Sequence, residues 1–208
     1  MSETGTGGMP LCWPWFAGLG PAEGSRRHGI ARYRDFAVVA NACKSPSGSE
    51  LTLRLESNGD TRSEFPHAFV LTVTIRLAER LRVSMTGENT GNTAFAVTEA
   101  FHPYFAVCDS SQCQVDGVQN LECVLSDPLS GMRLSITREG GSFRVWRPER
   151  TSIFSKNITA LAPDDWRKFI CVESGTFSES NAYVLRPGES HTLSCTILFQ
   201  RSAVAQQR

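Results

Sequence analysis

Neither sign of charge predominates in this 208-residue chain: 21 lysines and arginines face 21 aspartates and glutamates. A protein that grips nucleic acid through its phosphates needs a basic excess, and an anionic membrane surface makes a similar demand. Neither partner is expected here. Long apolar runs are lacking too, and no window approaches the 18 or so residues of a membrane span. Residues 1–8 have no basic and apolar leader, and the last five residues match no retention or peroxisomal signal. These absences predict a cytoplasmic protein. Seven cysteines are present, but none forms a CxxC pair. Cys108, Cys113 and Cys123 have no histidines at metal-binding spacing. Reduced thiols acting as small hydrophobes are expected, with no metal. Helical periodicity is scarce, which excludes all-α and βαβ designs. The best helical segment is one or two turns over Ala162–Lys168.

What the chain does have is period two. Phe69, Leu71, Val73, Ile75 and Leu77 alternate with Val70, Thr72, Thr74 and Arg76, and Leu81, Val83 and Met85 continue after a three-residue break. That spacing predicts a hairpin of two half-buried strands. Similar runs recur at 51–55, 95–97, 132–136, 143–145 and 193–199. Turn residues separate them at Asn58-Gly59-Asp60, Asn89-Thr90-Gly91, Gly140-Gly141 and Pro187-Gly188. Many short strands with frequent turns predict an all-β chain folded as an antiparallel β-sandwich or barrel-like sheet. One domain over 1–208 is expected, with disordered ends at 1–6 and 201–208. Cys12–Arg34, rich in Gly, Pro, Trp and Arg, reads as a long ordered loop, and such loops carry function.

Chemistry concentrates in three places. A strand over Phe95–Phe105 would put Ala96, Thr98, Ala100, His102 and Tyr104 on one face, small residues leading to an imidazole and a phenol. Pro103 should end or bulge it. Phe169–Glu173 reads as an apolar strand that terminates in a carboxylate, followed by a Ser174-Gly175 turn. Each of these has an ordinary reading too, a core histidine and a solvated strand end. His28-Gly29-Ile30-Ala31-Arg32 sets an imidazole and a guanidinium four residues apart, with a glycine that permits close backbone approach. Arginine suits bidentate capture of phosphate or carboxylate, although a surface ion pair would also explain it. His67 and His191 read as solvent-facing.

In order along the chain, Gly7-Gly8-Met9-Pro10-Leu11-Cys12-Trp13-Pro14-Trp15-Phe16, His28-Gly29-Ile30-Ala31-Arg32, Phe65-Pro66-His67-Ala68-Phe69, His102-Pro103-Tyr104-Phe105, Val145-Trp146-Arg147-Pro148, Cys171-Val172-Glu173 and Arg186-Pro187-Gly188-Glu189 resemble the glucose-6-phosphate 1-epimerases of the aldose 1-epimerase superfamily. The resemblance runs from about Gly7 to Phe199. It implies a galactose mutarotase-like antiparallel sandwich without its first strands. His102 and Glu173 become the catalytic pair, His28, Arg32, Tyr104 and Trp15 the substrate-binding residues, a sugar phosphate the partner, and no cofactor is implied. Four departures accompany it. Few residues precede the GGxP motif. Thr6 stands where the family has an arginine. Asn120–Asp127 is too short to hold the family's aspartate segment. Arg147 replaces an asparagine.

The implied reaction interconverts α and β anomers by opening and reclosing a pyranose ring. A base takes the O1 proton while an acid protonates the ring oxygen, so a carboxylate and an imidazolium suffice. The expectation is Glu173 ionised, His102 protonated, and the two far enough apart to straddle the ring. Arg32 is expected at the rim for the phosphate, with His28 deeper. An alternative is a catalytically impaired relative that only binds a sugar phosphate or a partner protein. A third reading is an incomplete gene product with an exposed sheet edge.

Overall fold

The alternating runs become strands that pair almost wholly antiparallel. The computed structural model describes residues 7–45, 48–149 and 165–201. In chain order its strands are β1 (Leu11–Cys12), β2 (Ala37–Ser45), β3 (Gly48–Glu56), β4 (Phe69–Leu77), β5 (Leu81–Asn89), β6 (Phe95–Val97), β7 (Ala100–Phe101) and β8 (Tyr104–Ala106). They continue as β9 (Gln114–Asp116), β10 (Glu122–Asp127), β11 (Met132–Glu139), β12 (Ser142–Trp146), β13 (Phe169–Gly175), β14 (Tyr183–Leu185) and β15 (Ser190–Arg201). The strands β2-β3-β4-β5-β15-β11-β10-β9 form one large sheet. A smaller sheet runs β1-β7-β13-β12 with β8 also on β13, and β14 pairs with β6. The predicted hairpin is β4–β5, closed with Leu77 opposite Leu81.

The two main sheets bury a common core. Leu71, Met85, Leu125, Ile136 and Leu193 of the large sheet meet Phe101, Phe143, Ile170 and Val172 of the small one. Each such side chain contributes about 1.5–3 kcal/mol when withdrawn from water. This is the antiparallel sandwich that the strand pattern predicts.

Four local expectations need correction. Asn58-Gly59-Asp60 does not turn between strands. It opens a helix, α1 (Gly59–Glu64), because the Asn58 side chain accepts from the Thr61 amide while the Thr61 hydroxyl accepts from the Asn58 amide. Phe95–Phe105 is not one strand but falls into three pieces, β6 on β14, β7 between β1 and β13, and β8 on β13. Thr98 and Pro103 fall in its breaks, and proline removes a ladder donor. Glu173 does not end its strand, since β13 runs on to Gly175, which lies opposite Ala100. Of the proposed helical turns, Asp165–Arg167 is a single 3-10 turn. Residues 162–164, the ends 1–6 and 202–208, and Thr6 with them, lie outside the described residues.

Candidate active site

Cross-strand partners point to the same side of a sheet, so the register of the small sheet sorts its side chains. Cys12 lies opposite Ala100, Ala100 opposite Gly175, Glu173 opposite Arg144, and Cys171 opposite both Trp146 and Tyr104. The intervening residues, Phe101, Phe143, Ile170 and Val172, fill the core. One face therefore packs the sandwich, and the other gathers the polar groups.

His102 sits just beyond β7, where its amide donates to the Pro10 carbonyl at 3.0 Å. Its ring stacks on Tyr104 with centroids 5.0 Å apart and planes within 17°. Its Nε2 is 3.3 Å from Glu173 Oε1. Both side chains are nearly buried, at 7% and 3% exposure. Glu173 Oε2 and His102 Nδ1 have no hydrogen-bond partner among the described residues. The pair is thus brought together on one face, but in contact. The expectation of a gap wide enough for a sugar ring is not met, because adjacent segments of one sheet hold both groups.

The long loop delivers the rest. His28 and Gly29 both take positive φ, 67° and 78°. A Cβ on Gly29 would lie 2.1 Å from the Trp13 carbonyl oxygen, so only glycine lets the chain close there. The closure is held by the Ile30 and Ala31 amides, which donate to that same oxygen. His28 Nδ1 accepts from the Ala17 amide at 3.3 Å and lies 3.4 Å from Cys12 Sγ. Its ring meets His102 edge-on at 5.3 Å. Arg32 donates through Nε to the Leu11 carbonyl at 3.2 Å and through Nη2 to Cys12 Sγ at 2.9 Å. His28 and Arg32 are both half-buried. Trp15 lies elsewhere. Its indole N–H donates to the Arg26 carbonyl, its ring packs near Phe65, and it lines a separate cavity of about 390 Å³ with Phe95 and His67.

Burial dominates the ionisation of this group. It pushes His102 down to about 4, with Arg32 and Arg144 adding to the depression. His28 falls to about 3, from burial and then Arg32. Glu173 rises to about 7 against the pull of Arg144, Arg32 and Arg27. Burial likewise pushes the Cys12 thiol up to about 12. The expected standing imidazolium beside a carboxylate is therefore corrected. At neutral pH the resting histidine is uncharged and the carboxyl is the group poised to titrate.

Sequence reasoning passed over Arg144, Trp146 and Cys12 as members of this group. Arg144 alternates with core residues as any solvated strand position does, and only register places it beside Glu173. It also misjudged His191, whose Nδ1 lies 2.5 Å from the buried Glu99 carboxylate while its ring stacks on Tyr183. His67 is half-buried against Phe65 and Phe95. Arg147 turns from the site: its guanidinium donates to the carbonyls of Ser110 and Cys113. No three His, Cys, Asp or Glu side chains are gathered as metal ligands among the described residues.

The two-sheet β-sandwich is a fold shared with solved mutarotase-like proteins. The crystal structure of YeaD from Salmonella typhimurium, provisionally titled a mutarotase, superposes with a TM-score of 0.84 at 21% identity, covering 97% of this chain and 78% of that one. A galactose mutarotase-like protein from Clostridium acetobutylicum gives 0.73 at 12% identity, over 96% and 81%. The sequence profile of the aldose 1-epimerase family matches residues 4–124. The chain belongs to the aldose 1-epimerase family. A Salmonella typhimurium protein with the provisional name glucose-6-phosphate 1-epimerase is 35% identical over 114 residues, 54% of this chain and 36% of that protein. One from Cenchrus ciliaris with the same provisional name is 28% identical over 124 residues, 56% and 37% respectively. The chain spans little more than a third of the length of these curated relatives.

Proposed function

We propose that this protein interconverts the α and β anomers of a hexose 6-phosphate, glucose 6-phosphate in the first instance, with Glu173 and His102 as its acid–base pair. The observation that carries the reading is the 3.3 Å approach of His102 Nε2 to Glu173 Oε1 on a face otherwise lined by Tyr104, Trp146, His28 and arginines. The relatives' provisional names supply the sugar phosphate.

The chemistry needs one mobile proton and two sites for it. O1 and the ring oxygen are bonded to the same carbon, so two groups in contact with each other can address both from one side. Once the pair's one proton has crossed their 3.3 Å contact from the Glu173 carboxyl to His102, Glu173 takes the O1 proton as the C1–O5 bond breaks, C1 becomes a carbonyl, and the ring oxygen receives a proton from His102. The pair then holds its proton in the reverse arrangement. Rotation about C1–C2 presents the other carbonyl face, and the steps run backwards to close the ring. A carboxyl raised to about 7 serves both directions, since it is neither firmly ionised nor firmly protonated near neutral pH. Arg32 and His28 bind the substrate at the loop side, with Tyr104 against the sugar. Trp15 takes part only by holding the loop that carries them. Cytoplasmic residence belongs to the same proposal, supported by six free thiols among the described residues.

Exchange spectroscopy between the two anomers of glucose 6-phosphate tests it. Each group should supply about 10²–10⁴-fold, so Glu173→Gln and His102→Asn should each return exchange close to the spontaneous rate. The double variant should be no worse than the weaker single, because the two act as a unit. Full activity in Glu173→Gln would mean that the base lies elsewhere. Wild-type protein that binds the sugar phosphate without hastening exchange would establish the binding-only alternative.

A further inference from the structure

Arg144 has no part in the proton transfers above and forms no ion pair among the described residues. Its place on β12 is directly opposite Glu173, which puts its side chain on the reacting face. Among the described residues no carboxylate or carbonyl accepts from its guanidinium. Two aromatic rings hold it instead: its Cζ lies 5.6 Å from the centre of Phe16 and 6.0 Å from that of Phe177. Those rings pack edge to face at 4.9 Å, and Phe16 also meets His28 at 5.0 Å. The cation is thus steered toward the His28–Arg32 side of the site rather than left to sweep through solvent. The residue remains exposed, so its N–H groups are open to an incoming anion on the reacting face. Its charge is felt at Glu173, His102 and His28 alike.

Arg32 alone makes a poor anion grip. Its Nε and Nη2 already donate to Leu11 and Cys12, which leaves Nη1 as the nitrogen without a partner among the described residues. A neutral hexose needs neither guanidinium. A phosphate monoester carries a charge of about −1.5 to −2 and three acceptor oxygens, and it matches two convergent guanidinium groups. We propose that Arg144 is a substrate contact and the main determinant of specificity for the phosphorylated sugar, completing with Arg32 a two-arginine grip on the phosphate. The proposal rests on the anomer-site reading given above.

The four histidines of the chain give a direct probe, since His28 and His102 line the site. Inorganic phosphate and glucose 6-phosphate would each be titrated into the full-length protein while the histidine ring signals are followed by NMR. Loss of one charge-assisted contact predicts a Kd about ten- to a hundredfold higher in Arg144→Gln for both probes. Arg144→Lys, which keeps the charge but not the planar fork, should fall between. Wild-type affinity should weaken as salt is raised, because the cation is exposed. Unchanged phosphate affinity in folded Arg144→Gln overturns the proposal, as does a wild-type protein whose histidine signals ignore phosphate. Phosphate held through Arg144 without anomer exchange would uphold the contact and defeat the enzymatic reading, so the two failures are distinguishable.

Discussion

Burial is the first cause of each perturbed ionisation in the pair and its neighbour, and it acts oppositely on bases and acids. The consequence for stability has a definite sign. A depressed histidine supports the fold above its unfolded value of 6.5 and loses that support as pH falls toward 4 for His102 and 3 for His28. A raised carboxyl does the reverse: the contribution of Glu173 is full below 4.5 and is lost as pH rises through about 7. Between about pH 4.5 and 6.5 the unfolded chain binds two more protons at the histidines and one fewer at Glu173. Stability should therefore rise with pH by about 1.4 kcal/mol per unit from these three groups. Urea unfolding at pH 5 and pH 6 measures it. Glu173→Gln removes the opposing carboxyl, so the slope should steepen toward two protons; an unaltered slope would mean that Glu173 ionises normally. His102, Glu173, His28 and Arg32 were legible in the sequence because each lies in a motif with its own backbone signature. Arg144 and the Glu99–His191 contact were not. Both depend on partners far along the chain, and an isolated arginine or histidine on a strand carries no mark of its neighbour across the sheet.

Strands announce themselves where one face is buried and the other wet, as in β4 and β5, because alternation is then a thermodynamic requirement. The segment from Phe95 to Phe105 defeated that rule. Its residues alternate, but it passes from β14 to β1 and β13, and the change of partner is decided by tertiary packing. Asn58 defeated it in another way: the dipeptide Asn-Gly suits a tight turn, yet three residues on from Asn58 stands Thr61, which completes a helix cap. The two local devices predict different consequences when removed. Asn58→Ala should cost about 1 kcal/mol through the lost cap and leave sugar-phosphate binding intact, since α1 lies outside the site. Gly29→Ala sets a Cβ against the Trp13 carbonyl at positive φ and should cost more than 1 kcal/mol. It should also weaken phosphate binding, because the same closure carries His28 and Arg32. Denaturant melts combined with phosphate titration separate the two. Equal binding in both variants would show that the loop positions nothing.

Taken as one body, the molecule has little electrostatic defence against its own kind. Its formal net charge is zero at pH 7, so copies do not repel at long range. The large sheet ends in β2, whose other side has no partner strand among the described residues. On that edge Val38 is 62% exposed and Val39 51% exposed. Val38 pairs with Leu53, a residue that packs on the core, so its side chain lies on the side of the sheet where the sandwich should cover it. Irregular pairing blunts the edge: the register slips between Val38 and Ala40 and again between Ala42 and Ser45. Such slips interrupt hydrogen bonding but do nothing for exposed apolar surface. Concentrated protein should therefore self-associate through β2, most strongly near neutral pH where net charge vanishes, and with little relief from salt because charge does not drive the contact. Val38→Lys and Val39→Lys put charge on the edge without touching the core, so each should leave the melting point within the small range of surface substitutions. Both should nonetheless shift light scattering toward the monomer. Association that persists in the double lysine variant would place the sticky surface elsewhere, and wild-type protein that stays monomeric at high concentration would show that the irregular pairing is protection enough.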